Sequence, residues 1–352
     1  MGKVHIDLNN KAILVTGSPG FIGANLVLRL LKEMTGGTVI SLDNMNDYYD
    51  PALKEYRLGL IEKAAERSQA KHVFVKGSIA DKTIVDRVFA EYKPDVVVNL
   101  AAQAGVRYSI DHPDMYIESN IIGFYNLLEA CRYNPVEHLV YASSSSVYGG
   151  NRKVPFSTED KVDHPVSLYA ATKKSNELMA HAYSYIFGLP VTGLRFFTVY
   201  GPWGRPDMSP FLFINGILKG DPIKVFNNGD MLRDFTFIDD IVKSVTGIIH
   251  VTPECNKEWD NSNPDAASSC APYRIYNVGN QNPTRLLDYI SAIENELGMK
   301  AIKQMEPMQP GDVYQTYADS SALANATGFT PNTSLQEGIH KTIKWFRGYY
   351  KV

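Results

Sequence analysis

Short apolar runs alternate with amphipathic stretches along the first half of the chain. The runs are rich in Val, Ile and Leu and are predicted to be buried strands: Ala12–Gly17, Thr38–Asp43, His72–Gly77, Asp95–Ala101, His138–Ser144 and Val191–Phe197. Helical periodicity lies between them, as in Gly23–Glu33. Strands that are apolar on both faces and separated by helices are typical of a parallel sheet covered on both sides. The pattern therefore predicts an α/β fold with a doubly wound parallel sheet.

The pattern changes after about Gly201, where proline and glycine interrupt the segment GPWGRPDMSP. Further on, VFNNGDMLRDFTFI predicts a hairpin that turns at Asn228-Gly229. The tail LQEGIHKTIKWFRGYY has the spacing of an amphipathic helix. We therefore expect a first domain of residues 1–198 and a smaller second domain of residues 199–352, with parts of 236–250 and 273–290 returning to the first.

Composition narrows the class of protein. The chain has 352 residues, 44% of them hydrophobic and 21% charged, which is typical of globular proteins. Its net charge of −3 gives no electrostatic reason to expect nucleic acid or a membrane surface as a partner. No apolar run approaches the roughly 20 residues of a membrane span, and Met1–Asn10 is too polar for a signal peptide.

The spacing of the cysteines and histidines indicates whether the chain binds a metal and whether it forms disulfides. Cys131, Cys255 and Cys270 are far apart and form no C-x-x-C motif. The eight histidines form no H-x-x-x-H cluster. These spacings argue against a disulfide framework or a metal site, and we expect a protein of the reducing cytoplasm without a metal.

A glycine-rich segment, TGSPGFIG, follows the first predicted strand and opens the first predicted helix. Its three glycines are Gly17, Gly20 and Gly23. Glycine permits a tight turn and lets the backbone approach a pyrophosphate, which binds at the N-terminus of the following helix. Between a strand and a helix, this spacing predicts a Rossmann-type dinucleotide site.

The end of the second predicted strand carries an acid suited to the same cofactor. Asp43 lies about 20 residues after the last glycine, where a carboxylate binds ribose hydroxyls. The alternative is an ordinary turn carboxylate at a strand end. A carboxylate there repels a 2′-phosphate, so this position favours NAD over NADP.

In the segment VSLYAATKKSNELMA, Tyr169 and Lys173 lie one helical turn apart. Together with the glycine loop, LAAQAG after the fourth strand and SSSSVYG after the fifth, this Y-x-x-x-K motif resembles the extended short-chain dehydrogenase/reductases. AAQAGVRYSI, SLYAATKKSNELMAH, FTVYGPWGRPDM and QPGDV are most similar to nucleotide-sugar epimerases, specifically to the UDP-glucuronate 4-epimerases. The resemblance extends from about Ala12 to the C-terminal helix. It implies an NAD-binding first domain and a second domain that mainly binds a UDP-sugar.

The resemblance also implies a reaction and the roles of three residues. Tyr169 is expected to be the acid/base, and Ser144 to donate to or relay a proton from the sugar hydroxyl. A free phenol has a pKa of about 10 and is a poor base at neutral pH. The Lys173 ammonium is expected to lower that pKa and to hold the nicotinamide ribose. The implied activity is oxidation of the sugar at C4, rotation of the 4-keto intermediate and its reduction on the other face.

The resemblance assigns the remaining site residues by position. The expected cofactor contacts are Gly17, Gly20, Phe21, Ile22, Gly23, Asp43, Asn44, Ser78, Ile79, Leu100, Ala101, Ala102, Gln103, Asn120, Tyr169, Lys173 and Phe197. The pair Ser78-Ile79 stands where relatives often carry an aspartate near the adenine. The expected substrate contacts are Ser144, Ser145, Ser146, Thr198, Arg205, Arg233 and Asp312. Arg233 is expected to clamp the UDP diphosphate.

The serine run separates related reactions. Related 4,6-dehydratases carry an Asp-Glu pair after the catalytic Ser or Thr, and related decarboxylases carry a Glu before VYG. This chain has Ser145 and Ser146 there, which cannot act as general acids or bases near pH 7. A 4-epimerase of UDP-glucose or of UDP-N-acetylglucosamine stays an alternative, as does a catalytically silent NAD-binding regulator.

The resemblance also implies a homodimer, formed through the helices at Ile121–Tyr133 and Ala170–Phe187. The alternative is that the apolar faces of these helices belong to the ordinary hydrophobic core.

Overall fold

A computed structural model describes residues 5–309 and 311–352. The first four residues of the segment Met1–Asn10, and Pro310 in QPGDV, lie outside the described residues. The elements of the first half are β1 (Ala12–Thr16), α1 (Phe21–Glu33), β2 (Thr38–Asp43), α2 (Pro51–Ala65), β3 (Lys71–Lys76), α3 (Lys82–Tyr92), β4 (Val96–Asn99), α4 (Tyr108–Asp111), α5 (Pro113–Tyr116), a π-helical segment (Ile117–Ile122), α6 (Gly123–Tyr133), β5 (His138–Ser144), a 3-10 turn (Ser145–Tyr148), α7 (Leu168–Phe187) and β6 (Val191–Phe196). The elements of the second half are β7 (Thr198–Tyr200), α8 (Ser209–Lys219), β8 (Ile223–Phe226), a 3-10 turn (Asn227–Gly229), β9 (Leu232–Arg233), β10 (Phe235–Phe237), α9 (Ile238–Ile249), β11 (Tyr273–Val278), β12 (Thr284–Arg285), α10 (Leu286–Leu297), β13 (Lys303–Glu306), α11 (Ser321–Thr327) and α12 (Leu335–Tyr350).

The central sheet has the strand order β11-β6-β5-β4-β1-β2-β3, and all its pairings are parallel. Its inner strands are almost entirely buried, since β4 and β6 expose no residue to solvent. This burial explains why the strands are apolar without alternation. The predicted α/β class with a Rossmann-type doubly wound sheet is confirmed.

Two segments of the second half pack with this sheet. β11 extends it beside β6, and α9 packs against α1. They overlap the ranges 273–290 and 236–250 that we expect to return to the first domain. The division at residue 198 stays a prediction.

The predicted hairpin at Asn228-Gly229 is wrong. Strand β8 pairs in parallel with β13, whereas β9 pairs antiparallel with β12. The backbone has positive φ at three consecutive residues, Asn227, Asn228 and Gly229. A two-residue hairpin turn needs only two such residues. The longer 3-10 turn therefore separates the two strands, and each pairs with a more distant segment.

The predicted C-terminal helix is confirmed as α12. The first helix begins at Phe21, two residues before the predicted start, because Gly20 is its N-cap. In residues 5–309 and 311–352, no helix combines the length and the apolar character needed to cross a membrane.

Candidate active site

One cleft lies at the carboxyl ends of the parallel strands, where a doubly wound sheet binds its ligands. Its wall contains every predicted site residue except Asn120. These residues come from segments up to about 300 positions apart in the chain, and the common strand direction brings them together. The order and common direction of the strands therefore determine which residues form the site.

Backbone contact makes glycine necessary at the start of the cleft. Gly17 has φ of 71°, and a Cβ atom there would lie 2.7 Å from the backbone nitrogen of Ala101 at the end of β4. A Cβ atom on Gly23 would lie 2.2 Å from the carbonyl oxygen of Gly17. The loop therefore runs close against β4 and leads directly into the N-terminus of α1. This cradle fits a pyrophosphate, because free amide groups and the helix dipole favour an anion there.

At the end of β2, an amide and an ammonium group partly balance the negative charge of the Asp43 carboxylate. Its Oδ1 accepts a hydrogen bond of 2.7 Å from the amide of Met45 and lies 3.8 Å from the ammonium of Lys54. Burial raises the pKa of Asp43, and Lys54 opposes that shift. The Lys54 ammonium also donates to the side chain and carbonyl of Asn46. The ribose end of the cleft thus has a buried cation that the sequence analysis missed.

Asn120 lies behind the cleft wall rather than on it. Its side-chain oxygen accepts from the amide of Gln103 at 2.8 Å, and its nitrogen donates to the carbonyl of Gln103 and to the hydroxyl of Thr172. It is 2% exposed and stands in the π-helical segment. Its side chain thus fixes the wall residue Gln103 to α7, and the contact of Asn120 with the cofactor stays a prediction.

Helix α7 carries the two residues that raised the catalytic hypothesis. Ser167 caps it by accepting from the amide of Ala170 at 3.1 Å, which places Tyr169 in the first turn and Lys173 in the second. The Lys173 ammonium is buried and donates to the carbonyl of Ala142 on β5 at 2.8 Å. Tyr169 is half-buried in the cleft wall. The helix thus presents both groups to the strand that carries Ser144.

The electrostatics of Tyr169 differ from the expectation. Burial raises its pKa, while a hydrogen bond with Ser144 and the charge of Arg205 lower it. Burial lowers the pKa of Lys173 to about 8. The cation that favours the Tyr169 phenolate in this structure is therefore Arg205, whereas the Lys173 ammonium is bound to a backbone carbonyl.

Ser144 and Ser146 form a hydrogen-bonded hydroxyl pair at the end of β5. Ser144 ends the strand, and its Oγ accepts from the amide of Ser146 at 3.2 Å and from the hydroxyl of Ser146 at 2.9 Å. The Ser144 hydroxyl proton is left for another acceptor, and Ser144 is close enough to Tyr169 to lower the pKa of the phenol. Ser144 can therefore relay a proton between a bound hydroxyl group and the phenol.

Arg233 and Asp312 line the other end of the cleft, and Arg107 lies beside them. Arg233 donates to the Asp312 carboxylate at 2.8 Å and to the carbonyl of Tyr314 at 3.0 Å. The guanidinium of Arg107 lies 3.8 Å from the same carboxylate and 4.8 Å from the ring centre of Phe226. Two guanidinium groups around one carboxylate suit the binding of a diphosphate. The sequence analysis missed Arg107, which lies in the motif AAQAGVRYSI.

Arg205 is fixed by an acid and a phenol. Its guanidinium makes two hydrogen bonds to Asp207, and the hydroxyl of Tyr48 donates to the same carboxylate at 3.0 Å. Burial is the main cause that raises the pKa of Tyr48 to about 12. Tyr48 lies on the loop after β2, so this contact joins the cofactor side of the cleft to the substrate side. The aromatic segment NMNDYYDP was the available signal for it.

Among residues 5–309 and 311–352, no group of three or more His, Cys, Asp or Glu side chains could hold a metal ion.

Comparison with known proteins gives a consistent result. The model of the NAD dependent epimerase/dehydratase family matches residues 13–258. The chain is 51% identical over 339 residues to protein CapI of Staphylococcus aureus, covering 96% of this chain and 99% of that protein. It is 42% identical to a probable UDP-glucuronate 4-epimerase of Rhizobium meliloti, covering 96% of this chain and 97% of that protein.

A solved structure agrees along almost the whole chain. The UDP-glucuronic acid 4-epimerase of Bacillus cereus, in complex with UDP-glucuronic acid and NAD, superposes with a TM-score of 0.83 at 31% identity. The match covers 96% of this chain and 100% of that chain. The similarity thus includes both the central sheet and the segments of the second half.

Proposed function

Because this chain belongs to the NAD dependent epimerase/dehydratase family, we propose that it is an NAD-dependent 4-epimerase that interconverts UDP-glucuronate and UDP-galacturonate. The observation that carries this proposal is the meeting of Tyr169, Ser144 and Lys173 in one cleft, between the glycine loop and the pair Arg233–Asp312. The names of the relatives from Rhizobium meliloti and Bacillus cereus support the same substrate. The enzyme is then an isomerase that acts on a nucleotide sugar.

Each group in the cleft has a role that follows from its position. Bound NAD supplies the hydride acceptor and donor at C4 of the sugar. Tyr169 removes the proton of the C4 hydroxyl group and later returns one, with Ser144 as the relay. Lys173 and Asp43 bind the two ribose groups, and the glycine loop binds the pyrophosphate.

The substrate side must release the sugar ring while it holds the nucleotide. Arg233 and Arg107 are placed to bind the diphosphate, with Asp312 held between them. A ring tethered only through this link can rotate and present its other face. Arg205, near Tyr169, lies where the sugar has to turn.

A 4-epimerase of UDP-glucuronate must also prevent its 4-keto intermediate from losing the carboxylate as CO₂. Oxidation of UDP-glucuronate at C4 gives a β-keto acid, which loses CO₂ when its C5–carboxylate bond aligns with the carbonyl π system. Ser145, Ser146 and Thr198 line the cleft and offer hydroxyl donors to that carboxylate. Hydrogen bonds to a charged group contribute about 1.5–3 kcal/mol each, enough to hold the bond out of alignment. The absence of a glutamate at positions 145 and 146 disfavours decarboxylation and dehydration.

A panel of UDP-sugars tests the proposal. Purified protein is incubated with UDP-glucuronate, UDP-glucose and UDP-N-acetylglucosamine, and the products are identified by chromatography and mass spectrometry. We expect UDP-galacturonate with little decarboxylated product. Ser145→Ala, Ser146→Ala or Thr198→Ala should raise UDP-4-keto-pentose relative to epimer, whereas Ser262→Ala in the exposed loop should not.

The alternatives give different products in the same panel. Faster conversion of UDP-glucose or of UDP-N-acetylglucosamine identifies the corresponding 4-epimerase. UDP-xylose as the main product identifies a decarboxylase. Absence of conversion, with NAD bound, identifies a non-catalytic regulator.

We also infer a homodimer. The π-helical segment and α6 expose Ile117, Ile122 and Tyr125, and α7 exposes Leu178 and Ile186. These two stretches pack against each other and present apolar side chains to solvent on adjacent faces. A second copy of the chain that joins its equivalent helices would bury them in a four-helix interface.

Two further features belong to this proposal. The reaction needs only a nucleotide sugar and retained NAD, so we place the enzyme in the cytoplasm, where the exposed Cys255 and Cys270 stay reduced. Residues 1–198 form the NAD-binding domain and residues 199–352 mainly bind the UDP-sugar.

A further inference from the structure

Arg57 is a buried cation beside the cofactor cleft. It lies on α2 and is 0% exposed. Within the described residues, it forms no ion pair with a carboxylate, although its charge lowers the pKa of Asp43, and its Nε has no hydrogen-bond partner. Buried charges in proteins are normally paired, so the local environment of Arg57 favours an anion nearby.

Its hydrogen bonds join three segments that surround the cleft. One nitrogen, Nη1, donates to the carbonyl of Pro19 in the glycine loop at 3.1 Å and to the hydroxyl of Tyr49 after β2 at 2.6 Å. The other, Nη2, donates to the carbonyl of Trp203 at 2.5 Å and has a longer contact of 3.4 Å with that of Gly204. The planar fork of an arginine can hold separate acceptors in this way, whereas a lysine cannot hold them in the same geometry.

The segment on the far side of Arg57 is strained. Trp203 has φ of 63°, in the left-handed region that side chains other than glycine and asparagine rarely adopt. Such a conformation persists only where surrounding contacts fix it, and the bond from Arg57 to the Trp203 carbonyl is one. Two residues later the chain reaches Arg205, which lines the sugar side of the cleft.

We propose that Arg57 is a positioning residue that retains NAD by holding the glycine loop against the turn at Trp203–Gly204. The proposal rests on the proposed NAD-dependent epimerase function. An epimerase that oxidises and re-reduces the same sugar has no net redox change, so it must keep its cofactor through the whole cycle. The guanidinium does this by fixing the backbone of the glycine loop and of the turn that leads to Arg205 in the cleft wall, and its positive charge favours the pyrophosphate on the adjacent glycine loop.

The rate of NAD release tests this proposal directly. The protein is loaded with isotopically labelled NAD and chased with excess unlabelled NAD, and the retained label is followed with time. We expect Arg57→Lys to release NAD at least tenfold faster than the unmodified protein, and Arg57→Met faster still. During turnover both variants should also release reduced cofactor, which the unmodified enzyme retains.

Two controls separate retention from a general loss of stability. Leu323→Ala creates a cavity between α11 and its neighbours α9 and β11, at a residue that does not line the cleft, and should lower the melting temperature without faster NAD release. Tyr49→Phe removes one acceptor of Arg57 while it keeps the ring, and should give a smaller increase in release. It also keeps the proposal testable if the Arg57 variants fail to fold.

The outcomes are distinct. An unchanged NAD release rate in folded Arg57→Lys, or in Tyr49→Phe where the first variant does not fold, overturns the proposal. The same holds if Leu323→Ala releases NAD as fast as Arg57→Lys. If the unmodified protein binds no NAD, the proposed function itself fails.

Discussion

Lys173 is a buried ammonium without a carboxylate partner among the described residues, since it is 3% exposed and donates to the Ala142 carbonyl. Burial lowers its pKa from 10.5 to about 8. Between these two pH values the unfolded chain binds the proton that the folded chain has lost, so stability rises with pH through this window. Below about pH 8 the full cost of the buried charge is present.

We therefore predict that Lys173→Met stabilises the NAD-free protein at pH 7. A lowered pKa of this size corresponds to roughly 3 kcal/mol, and the lost hydrogen bond offsets about 1 kcal/mol of it. The expected gain is about 2 kcal/mol, falling to zero or below near pH 10.5, measured by urea denaturation at several pH values. Lys344→Met on the exposed face of α12 is the control. A variant that is less stable at pH 7 contradicts the prediction.

We predict that Asp43 and Lys54, whose charged groups lie 3.8 Å apart, together set the preference for NAD over NADP. Asp43→Asn should weaken NAD binding by roughly 1–3 kcal/mol through lost hydrogen bonds to the ribose. It also removes the charge that repels a 2′-phosphate, while the Lys54 ammonium stays. Titration with NAD and NADP should show a shift toward NADP that disappears in the double variant Asp43→Asn with Lys54→Met. An unaltered NAD to NADP ratio in the single variant refutes this role.

At the scale of elements, a buried ion pair fixes α7 to β6. Arg195 Nε lies 2.8 Å from Glu177 Oε1, Nη2 lies 2.9 Å from Oε2, and the two side chains are 0% and 1% exposed. Ser143, the residue before Ser144, donates to the same carboxylate at 2.7 Å. The pair therefore sets the distance between the helix of Tyr169 and the strand of Ser144.

Breaking one side of this pair should cost much more than replacing both sides. Arg195→Met leaves the buried Glu177 carboxylate with only the Ser143 hydroxyl and the half-buried Lys174 ammonium at 3.4 Å, and we expect a loss of about 3 kcal/mol in the free energy of unfolding. Glu177→Leu in the same chain should restore a large part of that loss. Urea denaturation of the two single variants and the double variant measures the coupling. A coupling energy near zero means that the pair does not hold α7.

At the scale of the whole molecule, the exposed apolar face of α7 predicts the oligomeric state. Leu178, 60% exposed, lies in the middle of the proposed four-helix interface. Leu178→Asp should convert a dimer into a monomer, because a buried unpaired carboxylate opposes association. Light scattering after size-exclusion chromatography gives the mass. Leu212→Asp on α8, a site 50% exposed, is the matched control and should leave the mass unchanged.

The sequence by itself determined the features that depend on near neighbours. The strands β1, β2 and β5 end within a residue of the predicted positions because a buried parallel strand needs a continuous apolar run. The glycine spacing located the cofactor loop, and the i, i+4 spacing on α7 joined Tyr169 to Lys173. These signals are local, so a single sequence carries them.

Only the tertiary structure decided which distant segments meet. The contact between Arg57 and Trp203 spans 146 positions, and that between Tyr48 and Asp207 spans 159. The hairpin prediction at Asn228-Gly229 was wrong for the same reason, because β8 and β9 pair with the distant strands β13 and β12. Tertiary packing selects these partners, and the local pattern of residues does not contain that information.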